Sequence, residues 1–88
     1  MTALAATASS KALVRRAVAH LRTLRLSKRM SCYATAKLCN GRLSRQAIED
    51  YEADRRLPSL ANFLTLCQAL DADPCDVIDA AVREVAHG

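Results

Sequence analysis

Apolar side chains along this chain return at steps of three and four rather than by alternation, which is the helical period. The pattern predicts five helices and no strands. The first spans about 11–29, with Leu13, Val14, Ala17, Val18, Leu21 and Leu24 on one face. The second spans about 32–39 and turns the small Ala36 toward its partner helix. The third, about 45–53, places Ala47, Ile48 and Tyr51 inward and Arg45, Gln46, Glu49 and Asp50 on the outer side. The fourth, about 60–70, supplies most of the core through Leu60, Phe63, Leu64, Leu66, Cys67 and Leu70. The fifth, about 74–86, carries an apolar stripe of Val77, Ile78, Ala81, Val82 and Val85.

The punctuation between these runs agrees with the period. Ser9 or Ser10, Ser31, Ser44 and Ser59 each stand where a hydroxyl can accept from the free amides of a helix start. Asp73 followed by Pro74 is a favoured opening for the last helix. Asn40-Gly41-Arg42-Leu43 breaks the chain between the second and third helices, Gly41 taking a positive φ without steric cost. Asp54 can end the third helix in the left-handed conformation, and Pro58 prevents its continuation. Met30 is expected to plug the core as the chain leaves the first helix. Two short helices about such a turn, at about 32–53, make a helix-turn-helix, whose second helix can lie in the DNA major groove.

Length and composition narrow the class. Eighty-eight residues, 51% hydrophobic and 25% charged, make one all-α domain at about 11–86 behind a flexible leader at 1–10. The net charge of +4 conceals a division: ten basic and no acidic residues up to Ile48, then nine acidic and three basic from Glu49 onward. A basic half of that kind attracts polyanions. Lys11, Arg15, Arg22 and Arg29 recur along one face of the first helix as a phosphate-facing ridge.

Other chemistry is thinly provided for. Cys32, Cys39, Cys67 and Cys75 match no paired zinc spacing, so no metal is expected, and Cys39 and Cys67 fall at buried positions. His20 and His87 have no nucleophile, paired carboxylate or phosphate loop around them; the chain reads as no enzyme, with no cofactor and no small-molecule ligand. Without a secretory signal or an apolar run of ~20 residues, the expected setting is cytoplasmic, in a bacterium or a phage-infected cell, with reduced thiols.

From Leu21 to Val77 the chain resembles the lambdoid phage repressor and Cro class of helix-turn-helix regulators, the xenobiotic-response-element family. The residues that carry the resemblance are Leu21 to Arg25, Ala36, Gly41, the run SRQAIEDYE at 44–52, RRLPS at 55–59 and QAL at 68–70. It implies a compact five-helix, lambda-repressor-like DNA-binding domain. It places base reading at Arg45, Gln46 and Asp50, with Glu49 adjacent. Arginine can donate twice to guanine and glutamine can bond adenine bidentately, while Asp50 would accept from a cytosine amine or orient Arg45. The resemblance puts phosphate contacts at Ser31, Cys32 and Tyr33 and at Arg55 and Arg56; position and charge add Arg42 and the Ser44 cap. It also implies a structural pair between Arg25 and Glu52. Cys32 stands where many relatives carry a glutamine, Asp54 and Asp71 replace glycines, and the turn is about two residues longer.

The resulting expectation is a sequence-specific transcriptional regulator, Cro-like or a minimal repressor, bound to double-stranded operator DNA. It would act as a homodimer through the stripe Val77, Ile78, Ala81, Val82 and Val85. The alternatives are an antitoxin-type autorepressor and a helical protein-interaction module that has lost DNA binding, the latter favoured by the acidic pair Glu49 and Asp50.

Overall fold

A computed structural model describes residues 9–87; positions 1–8 of the expected leader lie outside the described residues. Five helices follow in order: α1 Ser10–Ser27, α2 Cys32–Leu38, α3 Arg45–Glu52, α4 Leu60–Ala69 and α5 Pro74–His87. Among the described residues there is no strand, so the all-α, five-helix expectation holds.

Each start is fixed by its own cap. Ser9, Ser31, Ser44 and Ser59 accept through Oγ from the amides of Ala12, Ala34, Ala47 and Asn62 at 2.9–3.1 Å. Asp73 Oδ1 accepts from the amide of Cys75, the second residue of α5, at 2.8 Å. Caps of this type stabilise by ~1 kcal/mol each relative to alanine.

The ends follow one rule with one variation. Arg29, Asp54 and Asp71 take φ of 57°, 64° and 54°. The next amide then reaches back to the last turn, Met30 to Arg25, Arg55 to Asp50 and Ala72 to Cys67, at 2.8–3.1 Å. That six-to-one bond is the Schellman closure, and aspartate can stand in for glycine because its short polar side chain tolerates the left-handed region. Arg29 was not anticipated there. The α2 end differs: Asn40 and Gly41 both have positive φ, 53° and 80°, and together turn the chain toward α3.

The helices enclose one core. Ala17, Val18 and Leu21 of α1 meet Ala47, Ile48 and Tyr51 of α3, Phe63, Leu66 and Cys67 of α4, and Val77 and Ala81 of α5. Cys39, Leu43 and Leu70 close it from the connecting turns, and Met30 packs against it half-buried. On α2 the deepest side chain is Thr35, fully buried, rather than Ala36, which is half-buried against the core. Thr35 enters because its hydroxyl donates to the Ser31 carbonyl at 3.0 Å, so its polar atom is already satisfied.

Two expectations about surfaces are corrected. Leu60 and Leu64 are exposed, at 70% and 38%, so α4 contributes less core than its composition suggests. On α5, Val77 and Ala81 are buried inside the protomer, whereas Ile78 is 46% exposed and Val82 and Val85 are half-buried. The stripe is therefore divided between an inward edge and an outward one. α1 and α5 lie against each other, with His20 Nε2 2.7 Å and Arg16 Nε 3.4 Å from the Glu84 carboxylate.

Candidate nucleic-acid interface

The inner face of α3 is Ala47, Ile48 and Tyr51, all buried, so its opposite face must turn outward. Arg45 and Gln46 stand exposed there, the first two residues after the Ser44 cap. Glu49 and Asp50 follow, half-buried. The spacing of four pairs these residues within the helix. Arg45 Nη1 donates to Glu49 Oε2 at 2.8 Å, and Gln46 Nε2 donates to Asp50 Oδ1 at 3.0 Å. Arg45 is thus oriented by Glu49 and not by Asp50.

Asp50 instead reaches the segment after α3. Its Oδ1 also accepts from Arg55 Nε at 2.8 Å, and Arg56 Nη1 lies 3.9 Å from Oδ2. The hydrogen bond from Arg55, then that from Gln46, holds the Asp50 carboxyl below the usual carboxylate range. The Arg56 guanidinium sits over the Tyr51 ring, 5.4 Å from its centroid. The Tyr51 hydroxyl accepts from Asn62 Nδ2 at 2.8 Å, so the ring is pinned to the start of α4.

Arg25 and Glu52 form a two-pronged ion pair, Nε to Oε2 at 2.8 Å and Nη2 to Oε1 at 2.6 Å. The remaining nitrogen, Nη1, donates to the Met30 carbonyl at 2.8 Å. One guanidinium therefore joins the end of α1, the turn after it and the end of α3. The hydrogen bond to Glu52 raises the Arg25 pKa further, against the lowering effect of burial. The Cys32 Sγ lies 3.9 Å from Glu52 Oε1. Burial, then the Glu52 charge, pushes its thiol up. Its side chain faces this pair.

The remaining basic and polar residues are distributed around α3. Ser31 and Ser44 are exposed but use their hydroxyls as caps. Tyr33 is 59% exposed, with Lys37 Nζ 5.1 Å from its ring centroid. Arg42 is exposed in the turn between α2 and α3. Lys37 had not been singled out, although its position four residues after Tyr33 on a helix was the available signal. The α1 ridge is only partly free: Arg15 Nε bonds Asp54 Oδ1 at 2.7 Å and Arg22 Nε lies 3.5 Å from Glu52. Those two arginines meet the acids that begin at Glu49. Lys11 and Arg29 are exposed.

Two capped helices about a turn, with a donor-bearing outer face on the second, describe a known module. A family model described as a helix-turn-helix domain matches residues 16–79, well over half of the chain. The chain belongs to the helix-turn-helix domain family. Neither a curated protein nor a solved structure matches it. As a helix-turn-helix protein it is a DNA-binding regulator in the general sense, and the family is typically non-enzymatic. Among the described residues no three His, Cys, Asp or Glu side chains gather as a metal site. No described helix is long and apolar enough to cross a membrane.

Proposed function

We propose that this helix-turn-helix protein is a sequence-specific transcriptional regulator of the lambdoid Cro or minimal-repressor kind, reading operator DNA with α3 in the major groove. The observation that carries the reading is the outward presentation of Arg45 and Gln46 on α3 between the exposed basic residues Arg42, Arg55 and Arg56. Glu52 and Asp54 meanwhile are drawn toward α1 by Arg25 and Arg15. Arg45 takes guanine and Gln46 takes adenine, while Arg42, Arg55 and Arg56 engage phosphates with help from the Ser31, Tyr33 and Ser44 region. Glu49 and Asp50 set the orientation of their neighbours. The outward edge of α5, Ile78 with Val82 and Val85, is the surface offered to a second copy, which would set two half-sites about one helical turn apart.

Selection of bound sites from random duplexes, followed by titration against salt, tests the reading. A two-fold symmetric motif and a steep fall of log K with log salt are expected. Arg45→Ala relaxes one base position, whereas Arg56→Ala weakens all sequences alike. Binding that ignores salt refutes the proposal. It would favour a protein-interaction module instead, a reading supported by the way Glu49 and Asp50 occupy the donors of Arg45 and Gln46.

A further inference from the structure

Asp50 is the one acid that touches both the outer face of α3 and the loop behind it. Its side chain is 16% exposed, while Arg55 and Arg56 beside it are 58% and 57% exposed. The carboxylate is the sheltered centre of the group, and its cationic partners are the rim.

We propose that Asp50 is a positioning residue for base reading: it fixes the side-chain amide of Gln46 in the orientation that selects adenine, and it lowers the attraction of the loop for DNA of any sequence. This rests on the DNA-binding reading given above and deepens it.

The first part follows from donor and acceptor chemistry. A glutamine amide has two ends of nearly the same shape and opposite chemistry, and a half-turn exchanges them. An ionised carboxylate only accepts, so at 3.0 Å from Asp50 Oδ1 the nitrogen end of Gln46 must face it. One N–H is used by Asp50. With Asp50 taking the N–H on the Cγ side, the N–H beside the carbonyl oxygen and that oxygen are left together, the donor and acceptor pair that matches N7 and the N6 amine of adenine. A freely turning amide presents both orientations and discriminates less.

The second part follows from charge. Asp50 places an anion among Arg55, Arg56 and Gln46, and the hydrogen bond from Arg55 keeps that anion ionised well into acid. Removing it leaves the loop arginines without this counter-charge. Asp50 therefore subtracts from general affinity while adding to discrimination.

Two substitutions separate the roles. Asp50→Asn removes the charge but keeps an acceptor oxygen for Gln46, because Arg55 Nε, which donates to the same Oδ1, holds the oxygen end of the new amide there; Asp50→Ala removes both. The full chain and both variants are compared by site selection and by titration of duplex DNA against salt, with thermal melting to confirm that each is folded. In Asp50→Ala the adenine preference at one position falls by about fivefold or more, the low end for one bidentate base contact. The slope of log K against log salt steepens by about one. In Asp50→Asn the slope steepens alike but the adenine preference stays. Gln46→Ala, at an exposed site, abolishes the same preference, so the proposal is testable even if Asp50→Ala loses its fold. Survival of the adenine preference in Asp50→Ala or in Gln46→Ala overturns the proposal while leaving DNA binding intact. A wild-type chain with no salt-dependent duplex binding overturns both readings together.

Discussion

Removing the Arg25 guanidinium is expected to cost this domain a large part of its stability. Arg25→Met keeps most of the aliphatic stem and deletes three hydrogen bonds, two to Glu52 and one to the Met30 carbonyl. Glu52 is then left with Arg22 at 3.5 Å and the Cys32 thiol at 3.9 Å. Breaking a fully buried pair by removing one partner costs ~3–5 kcal/mol. Here the two side chains are 10% and 13% exposed and a second arginine stays near, so ~2–4 kcal/mol is the appropriate range. Against the ~4–13 kcal/mol expected of 88 residues, that is a substantial fraction. At about 4–8 °C per kcal/mol it lowers Tm by roughly 10–30 °C. Thermal and urea unfolding of Arg25→Met, Glu52→Leu and the double variant complete a cycle. The double variant should recover much of the loss, because it leaves no unpaired charge. A coupling energy below about 0.5 kcal/mol would refute the strut, since it would mean that the two charges act independently.

Other predictions bear on single positions. Arg29→Gly should stabilise by ~0.5–1 kcal/mol, because the left-handed conformation at φ 57° costs an arginine more than glycine loses in backbone entropy; a lower urea midpoint would contradict this. The Asp50 carboxyl, followed by carbon-detected NMR, should titrate below free aspartate, and Arg55→Ala should move its midpoint upward. Because that folded pKa is lowered, the stability linked to Asp50 is complete above the unfolded aspartate pKa and is lost as pH falls through the folded one. Pulse labelling with a thiol reagent, read by mass spectrometry, should modify exposed Cys75 first. Cys39 and Cys67 should follow only on unfolding, and Cys32 should lag because burial and Glu52 hold its thiol protonated.

Much of the fold was legible because its signals are local. Four serines and Asp73 sit at helix starts, and every expected helix lies within two residues of the observed one. The left-handed Asp54 was readable from aspartate chemistry and the proline that follows. Arg29 was not, since arginine carries no such preference; the Met30 amide and carbonyl both bond Arg25 there, and the Arg25 side chain is held in place for this by Glu52, a partner distant in sequence. Thr35 was passed over because its hydroxyl looks polar until its bond to the preceding turn is seen. Periodicity gave α5 a single stripe, but it does not say how wide a neighbour that stripe meets. Val77 and Ala81 are buried within the protomer, whereas Ile78 stays 46% exposed. At the candidate interface the exposed donors Arg45 and Gln46 could be named from spacing. Their acid partners were nameable too, yet the choice of Glu49 for Arg45 and Asp50 for Gln46 depends on rotamers. The link from Asp50 to Arg55 depends on where the chain goes after Asp54.

The anchoring of Tyr51 has a consequence for the rate and cost of meeting a polyanion. Its hydroxyl is bonded to Asn62 and its ring carries Arg56, while Arg55 rests on Asp50. Immobilising a long side chain at an interface typically forfeits ~0.5–1.5 kcal/mol of freedom. Two arginines already seated on a ring and a carboxylate have surrendered part of that freedom during folding. The segment between α3 and α4 is accordingly a preset edge, and a polyanion arriving there spends less of its attraction on ordering the surface it meets.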